Sequence, residues 1–151
     1  MKMGIRQGTP LKDDKIQNLN EVNKMFDFTI ETEKTVEEAI SAVEESLKGH
    51  RFGVLWKLDL RAKLQEKGVE FTRPYHVLEA CNPVEAKKVL EQNRLGGYFL
   101  PCKLVVYQEQ QKTKIGLTRP TTLTGLLDDA ELSAIAADVE KELIAAVQEA
   151  Q

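Results

Sequence analysis

Apolar and polar residues alternate from residue 25 to 31, with Phe26, Phe28 and Ile30 set against Asp27, Thr29 and Glu31, the two-residue period of a half-buried strand. The expected core face of that strand is Phe26, Phe28 and Ile30. The period then lengthens. Thr35-Val36-Glu37-Glu38 has the spacing of a capping box, and Val36, Ala39, Ile40, Val43 and Leu47 recur at three- and four-residue steps until Gly49. This predicts an amphipathic helix. Alternation returns in Phe52, Val54, Trp56 and Leu58 against Gly53, Leu55 and Lys57, a second strand with one fully apolar face and one mixed face. Leu60 to Gly68 reads as a short helix closed by glycine. A third strand follows over residues 73–80, with His76, Leu78 and Ala80 on one face and Tyr75, Val77 and Glu79 on the other.

Asn82 has the character of an N-cap, Pro83 of a first helical residue and Glu85 of the returning member of a capping box. They open a second long helix that reaches Asn93, with Ala86, Val89 and Leu90 as its buried stripe. Gly96-Gly97 ends it and turns the chain into Tyr98-Phe99-Leu100. Residues 102–108 and 112–118 are two β-rich runs joined by Glu109-Gln110-Gln111, the signature of a hairpin, and the first carries Leu104 and Val106 on one face. Residues 120–125 form a Thr-rich loop. Asp128 or Asp129 then caps a terminal helix with Leu132, Ile135, Ala136, Val139, Leu143 and Val147 in one stripe.

Strands with one strongly apolar and one mixed face fit helices on a single side of the sheet. The expected class is therefore α+β, a two-layer domain over residues 25–151 with a mainly antiparallel sheet of about five strands and helices packed on one face. Residues 1–24 read as an N-terminal arm. Ile16, Leu19 and Val22 stand at helical spacing in it, which allows a short helix over 13–22.

Charge narrows the functional classes. The 21 basic and 24 acidic residues leave a net charge of −3, and the basic ones are scattered, so nucleic acid is not the expected partner. No apolar run has the length of a signal peptide or a membrane span, and the expected location is the cytoplasm. Two cysteines in such a chain are expected to be thiols. Neither Cys-x-x-Cys spacing nor a second ligand pair is present, so no metal site is expected, and the sequence names no cofactor.

Candidate chemistry gathers at Cys81-Asn82-Pro83 and Leu100-Pro101-Cys102. Cys81 would sit just before a helix N-terminus, where unpaired N–H groups stabilise a thiolate, with Cys102 as its resolving partner. Alternatively, each thiol is a small hydrophobe filling a junction. Strand alternation sets Cys81 on the face opposite His76. His76 reads as a general base or ligand, or as a hydrogen-bonded core residue, and His50, just after Gly49, as a helix C-cap. Glu79 would hold its proton tightly if its face were buried; otherwise it pairs with Arg51, Arg73 or Lys103. Met25, Leu55, Tyr75, Val77, Val105 and Tyr107 share the parity opposite to the core, which predicts an exposed apolar face and a homodimer through the sheet or a small-ligand cleft between sheets, the alternative being cover by the loops and the N-terminal arm.

The Thr35-Val36-Glu37-Glu38 helix start, Gly49-His50-Arg51-Phe52, Val77-Leu78-Glu79-Ala80-Cys81-Asn82-Pro83 and Leu100-Pro101-Cys102-Lys103 together resemble the domain-of-unknown-function 302 family, a conserved bacterial family. The resemblance covers residues 25–147. It implies a compact two-layer α+β fold, commonly dimeric, and no established activity. The leading functional expectation is a cytoplasmic dimeric domain that binds a small ligand or a protein partner at Cys81, Asn82, Pro101, Cys102 and His76. The alternatives are a thiol-dependent redox or stress-response enzyme using Cys81 and Cys102, with Glu79 as a further catalytic candidate, and a structural or assembly module.

Overall fold

The computed structural model describes residues 25–151, so the helix expected over 13–22 lies outside the described residues. The elements run β1 (Asp27–Thr32), α1 (Val36–Gly49), β2 (Gly53–Asp59), α2 (Leu60–Glu66), β3 (Tyr75–Cys81) and α3 (Pro83–Gln92). A 3-10 turn (Arg94–Phe99), β4 (Cys102–Glu109), β5 (Lys112–Thr118), α4 (Pro120–Thr124) and α5 (Ala130–Glu149) complete the chain. The five strands form one sheet in the order β1-β5-β4-β3-β2, every neighbouring pair antiparallel. The fold is α+β, as the one-sided strand pattern predicts.

Local chemistry explains most boundaries. Thr35 caps α1 in a complete capping box with Glu38, and Asp129, rather than Asp128, caps α5 by accepting the Leu132 N–H. Between β4 and β5 the turn is only Gln110-Gln111, with φ of 50° and 65°, the mirror-image type I′ geometry that matches strand twist. At the end of α1 the Phe52 N–H donates to the Leu47 carbonyl at 2.9 Å and the Arg51 N–H to Lys48 at 3.1 Å. Arg51 makes this reversal with a φ of 66°, a left-handed conformation that costs a non-glycine residue about 1 kcal/mol.

The core lies between the helical layer and one face of the sheet. Val36, Ala39, Val43 and Leu47 of α1 and Leu143, Ala146 and Val147 of α5 close over Leu78, Ala80, Leu104, Val106, Ile115 and Leu117. Phe28 and Ile30 pack at its edge, whereas Phe26 is exposed, because residues 25 and 26 are helical and β1 begins only at Asp27.

The second strand departs most from its sequence pattern. Val54 pairs with Ala80 but Trp56 pairs with Glu79, so one extra residue sits in β2 between them, a β-bulge. A one-residue slip reverses every later side chain. Lys57, opposite buried Leu78, now points to the helical side and binds Glu44 of α1 at 2.8 Å. Trp56 and Leu58, expected in the core, instead share the sheet face opposite α1 and α5 with Glu79 and Val77. Leu55 is the inserted residue and is exposed, rather than a regular member of that face.

Two smaller differences lie near the sheet end. Leu90 is half exposed and only Val89 of α3 is buried, since α3 is docked through Val89 against the 3-10 turn. A Cβ on Gly96 there would come within 2.5 Å of Val89 Cγ1, which is why this close approach takes glycine. Residues 120–124, expected as a loop, form α4. Its start has no local side-chain cap; the Glu140 carboxylate on α5 accepts both the Thr121 N–H, at 3.1 Å, and the Thr121 hydroxyl, at 2.7 Å.

Candidate functional site

Because β3 ends where β4 begins, Ala80 lies opposite Cys102 and the two cysteine motifs meet at one end of the sheet. There α3, the 3-10 turn, α4 and α5 stand apart from the strand ends and leave a cleft of about 390 Å³. Cys81, Asn82, Pro101, Cys102 and Glu79 all line it; its other walls include Phe52, Val89, Leu123 and Val139. Alternation puts the two cysteines on opposite sides of the sheet. A cleft that wraps the sheet end still receives both. The Leu100–Pro101 peptide bond at its edge is cis.

Burial disfavours the thiolate form at both cysteines. Asn82 Oδ1 accepts from the Val84 and Glu85 N–H groups at 3.1 and 3.3 Å, so the donors expected to stabilise a Cys81 thiolate are already used. Burial pushes the Cys81 thiol up from its ordinary value. Cys102 is pushed up to about 11, first by burial and then by negative charge on Cys81 and Glu79. Glu85 does not complete a capping box; its carboxylate accepts from Lys88 Nζ at 3.1 Å. Of the three cations considered for Glu79, Lys103 is its partner, across the strand pair at 2.8 Å.

His76 is not brought to this cleft. It stands at the start of β3 opposite Asp59 and Val106, roughly 16 Å from the Cys81 end at the rise of an extended strand. Among the described residues no group of three His, Cys, Asp or Glu side chains could hold a metal ion.

A second, polar cavity of about 410 Å³ adjoins the cleft and shares Phe52, Asn82, Glu85 and Val139 with it. Arg51, Asp138, Lys141, Glu142 and His50 complete most of its wall. His50 is the C-cap residue of α1, but it caps through its backbone N–H, and its ring, expected against the helix carbonyls, faces α5. Nδ1 lies 2.5 Å from Glu142 Oε2 and Nε2 lies 3.0 Å from Glu149 Oε1. The Glu142 hydrogen bond, helped by Glu149, raises the imidazole pKa above its ordinary 6.5 against the opposing effect of burial. A histidine whose folded pKa is raised stabilises fully below the unfolded value and loses that contribution as pH climbs through the folded one. Stability is therefore expected to fall by about 1 kcal/mol from pH 6 to above neutrality, discounted because both carboxylates are half exposed. Urea unfolding across pH 5.5–9 checks this, and His50→Gln should flatten the slope.

Against known proteins, the profile described as "Domain of unknown function DUF302" matches residues 28–150. The chain belongs to the DUF302 family. A crystal structure of an uncharacterized conserved DUF302 protein from Bacillus stearothermophilus is 51% identical and superposes with a TM-score of 0.82, covering 84% of this chain and 99% of that one. No curated protein matches.

In this DUF302 chain the paired cleft and cavity include residues that sequence reasoning placed at no site, with Arg51 considered only as a partner for Glu79. Arg51, Asp138 and Lys141 line the polar cavity, and Arg51 reaches it from the left-handed turn after α1. The junction motif Gly49-His50-Arg51-Phe52 carries that signal locally. Nothing local reveals that residues 138 and 141 of the terminal helix face it.

Proposed function

We propose that this DUF302 domain binds a small, largely apolar ligand in the cleft at the sheet end. The observation that carries the reading is the cleft itself, with mostly apolar walls and three charged residues, Glu79 paired with Lys103 and Glu85 paired with Lys88, the usual composition of a small-molecule site. Cys81 and Cys102 serve as apolar wall in this reading, and their raised pKa values speak against the nucleophilic alternative. Two free thiols fit a reducing compartment, and the proposed location is the cytoplasm. The neutral fluorophore N-phenyl-1-naphthylamine should bind saturably. Ala86→Trp, which fills the cleft, should weaken it at least tenfold, while Val105→Thr on the open face should not. Equal binding by the Ala86→Trp protein would sink the reading.

The open sheet face supports a second proposal, homodimerisation through it. Leu58, Tyr75, Val77, Val105 and Tyr107 form its apolar stripe; Tyr75 and Tyr107 stack with centroids 5.0 Å apart, and Trp56 is exposed beside them. Tyr107→Glu should convert a dimer to a monomer in sedimentation velocity. A dimer that survives the change would remove this face as the interface.

A further inference from the structure

The reversal after α1 needs a left-handed residue, and glycine makes such a turn most readily. The chain has a glycine two positions earlier, at Gly49, where φ is not left-handed and a Cβ would meet open space. At the position that favours glycine it carries Arg51. Unlike Gln110 and Gln111, whose left-handed φ serves a hairpin turn, Arg51 adjoins a cavity, and strained positions cluster at ligand sites.

The surroundings of Arg51 indicate the kind of ligand. Arg51 is an exposed residue at the wall of the polar cavity and makes no ion pair among the described residues. Two carboxylates of the same wall are engaged elsewhere, Glu142 by His50 and Glu85 by Lys88. Lys141 is a second cation without an ion-pair partner among the described residues; Asp138 is the one wall carboxylate without one. The cavity and the apolar cleft lie side by side, with Phe52, Asn82, Glu85 and Val139 in the walls of both.

We infer that the polar cavity takes the oxyanion end of a ligand whose apolar body lies in the cleft, with Arg51 as the residue that selects the anion. This rests on the cleft being a binding site. The ligand class is an amphiphile with a carboxylate, phosphate or sulfonate head. A guanidinium with free donors suits any of these, because it presents a planar fork to two oxygens.

Two probes that share one skeleton separate the claims: 1-anilinonaphthalene-8-sulfonate carries the anion, and N-phenyl-1-naphthylamine lacks it. The protein should bind the sulfonate at least tenfold more tightly than the neutral amine. Arg51→Gly should abolish that preference, leave the amine unaffected and raise Tm by about 3 °C, as relief of one left-handed non-glycine residue would in a chain of this size. Arg51→Lys should keep part of the preference. Equal affinity for the two probes, or a preference that survives in Arg51→Gly, would overturn the role of Arg51 while leaving the cleft intact. A lower Tm in Arg51→Gly would overturn it too, since arginine would then be kept for its attraction to the helix carbonyls. Failure of both probes to bind would remove the cleft and this inference together.

Discussion

Cys102 is expected to react with iodoacetamide at pH 7 about a hundredfold more slowly than an unperturbed thiol. The thiolate is the reacting species, and its fraction falls tenfold for each unit by which the pKa exceeds its ordinary value. At about 11, against 9.0 for an ordinary thiol, Cys102 holds about one hundredth of the usual thiolate before steric shielding slows it further. The causes are tertiary: the thiol packs against the core under the helices, and the Glu79 carboxylate and Cys81 add negative charge nearby. Cys81, less deeply placed, should also react more slowly than a free thiol, and should be modified first. Mass spectrometry of timed alkylation separates the two. Cys102 labelled at or above the free-thiol rate would revive the redox alternative and remove the account of the cleft as an inert wall.

Leu104→Ala should destabilise the fold by about 3 kcal/mol and lower Tm by roughly 9 °C. Leu104 is fully buried on β4, between the sheet and the helical layer, so truncation removes apolar burial and leaves a cavity that a close-packed interior does not refill. The adjacent residue provides the contrast. Val105 points to the open face opposite Val77, and Val105→Thr should cost less than about 1 kcal/mol in the monomer. Chemical denaturation of the two variants at low protein concentration tests the one-sided sheet. Similar losses at both positions would show that the open face is as tightly packed as the core.

Much of this fold is legible because its signals are short-ranged. Strand and helix periods separate the elements, and Thr35 and Asn82 cap their helices through N–H groups two or three residues away. What could not be read depends on distant partners. The bulge at Leu55 leaves the alternating pattern of residues 52–58 unchanged in the sequence while reversing Trp56 and Leu58 in space. The start of α4 is held by Glu140, and the His50 ring by Glu142 and Glu149, all from the terminal helix. At the site, the convergence of Cys81 with Cys102 follows from two strand ends. The upward shift of their pKa values does not, because desolvation depends on what packs around a group.

The bulge in β2 also bears on how the molecule avoids sticking to itself. Both outer strands of a five-strand open sheet expose backbone donors and acceptors that could recruit another chain and grow a fibre. β2 breaks its own regularity with the inserted Leu55, and β1, the opposite border, carries Asp27 and Glu31. Neither border is a straight, uncharged template. Strand-by-strand polymerisation is thereby discouraged, and deletion of Leu55 would turn a bent rim into a continuous one, with fibril formation as the hazard.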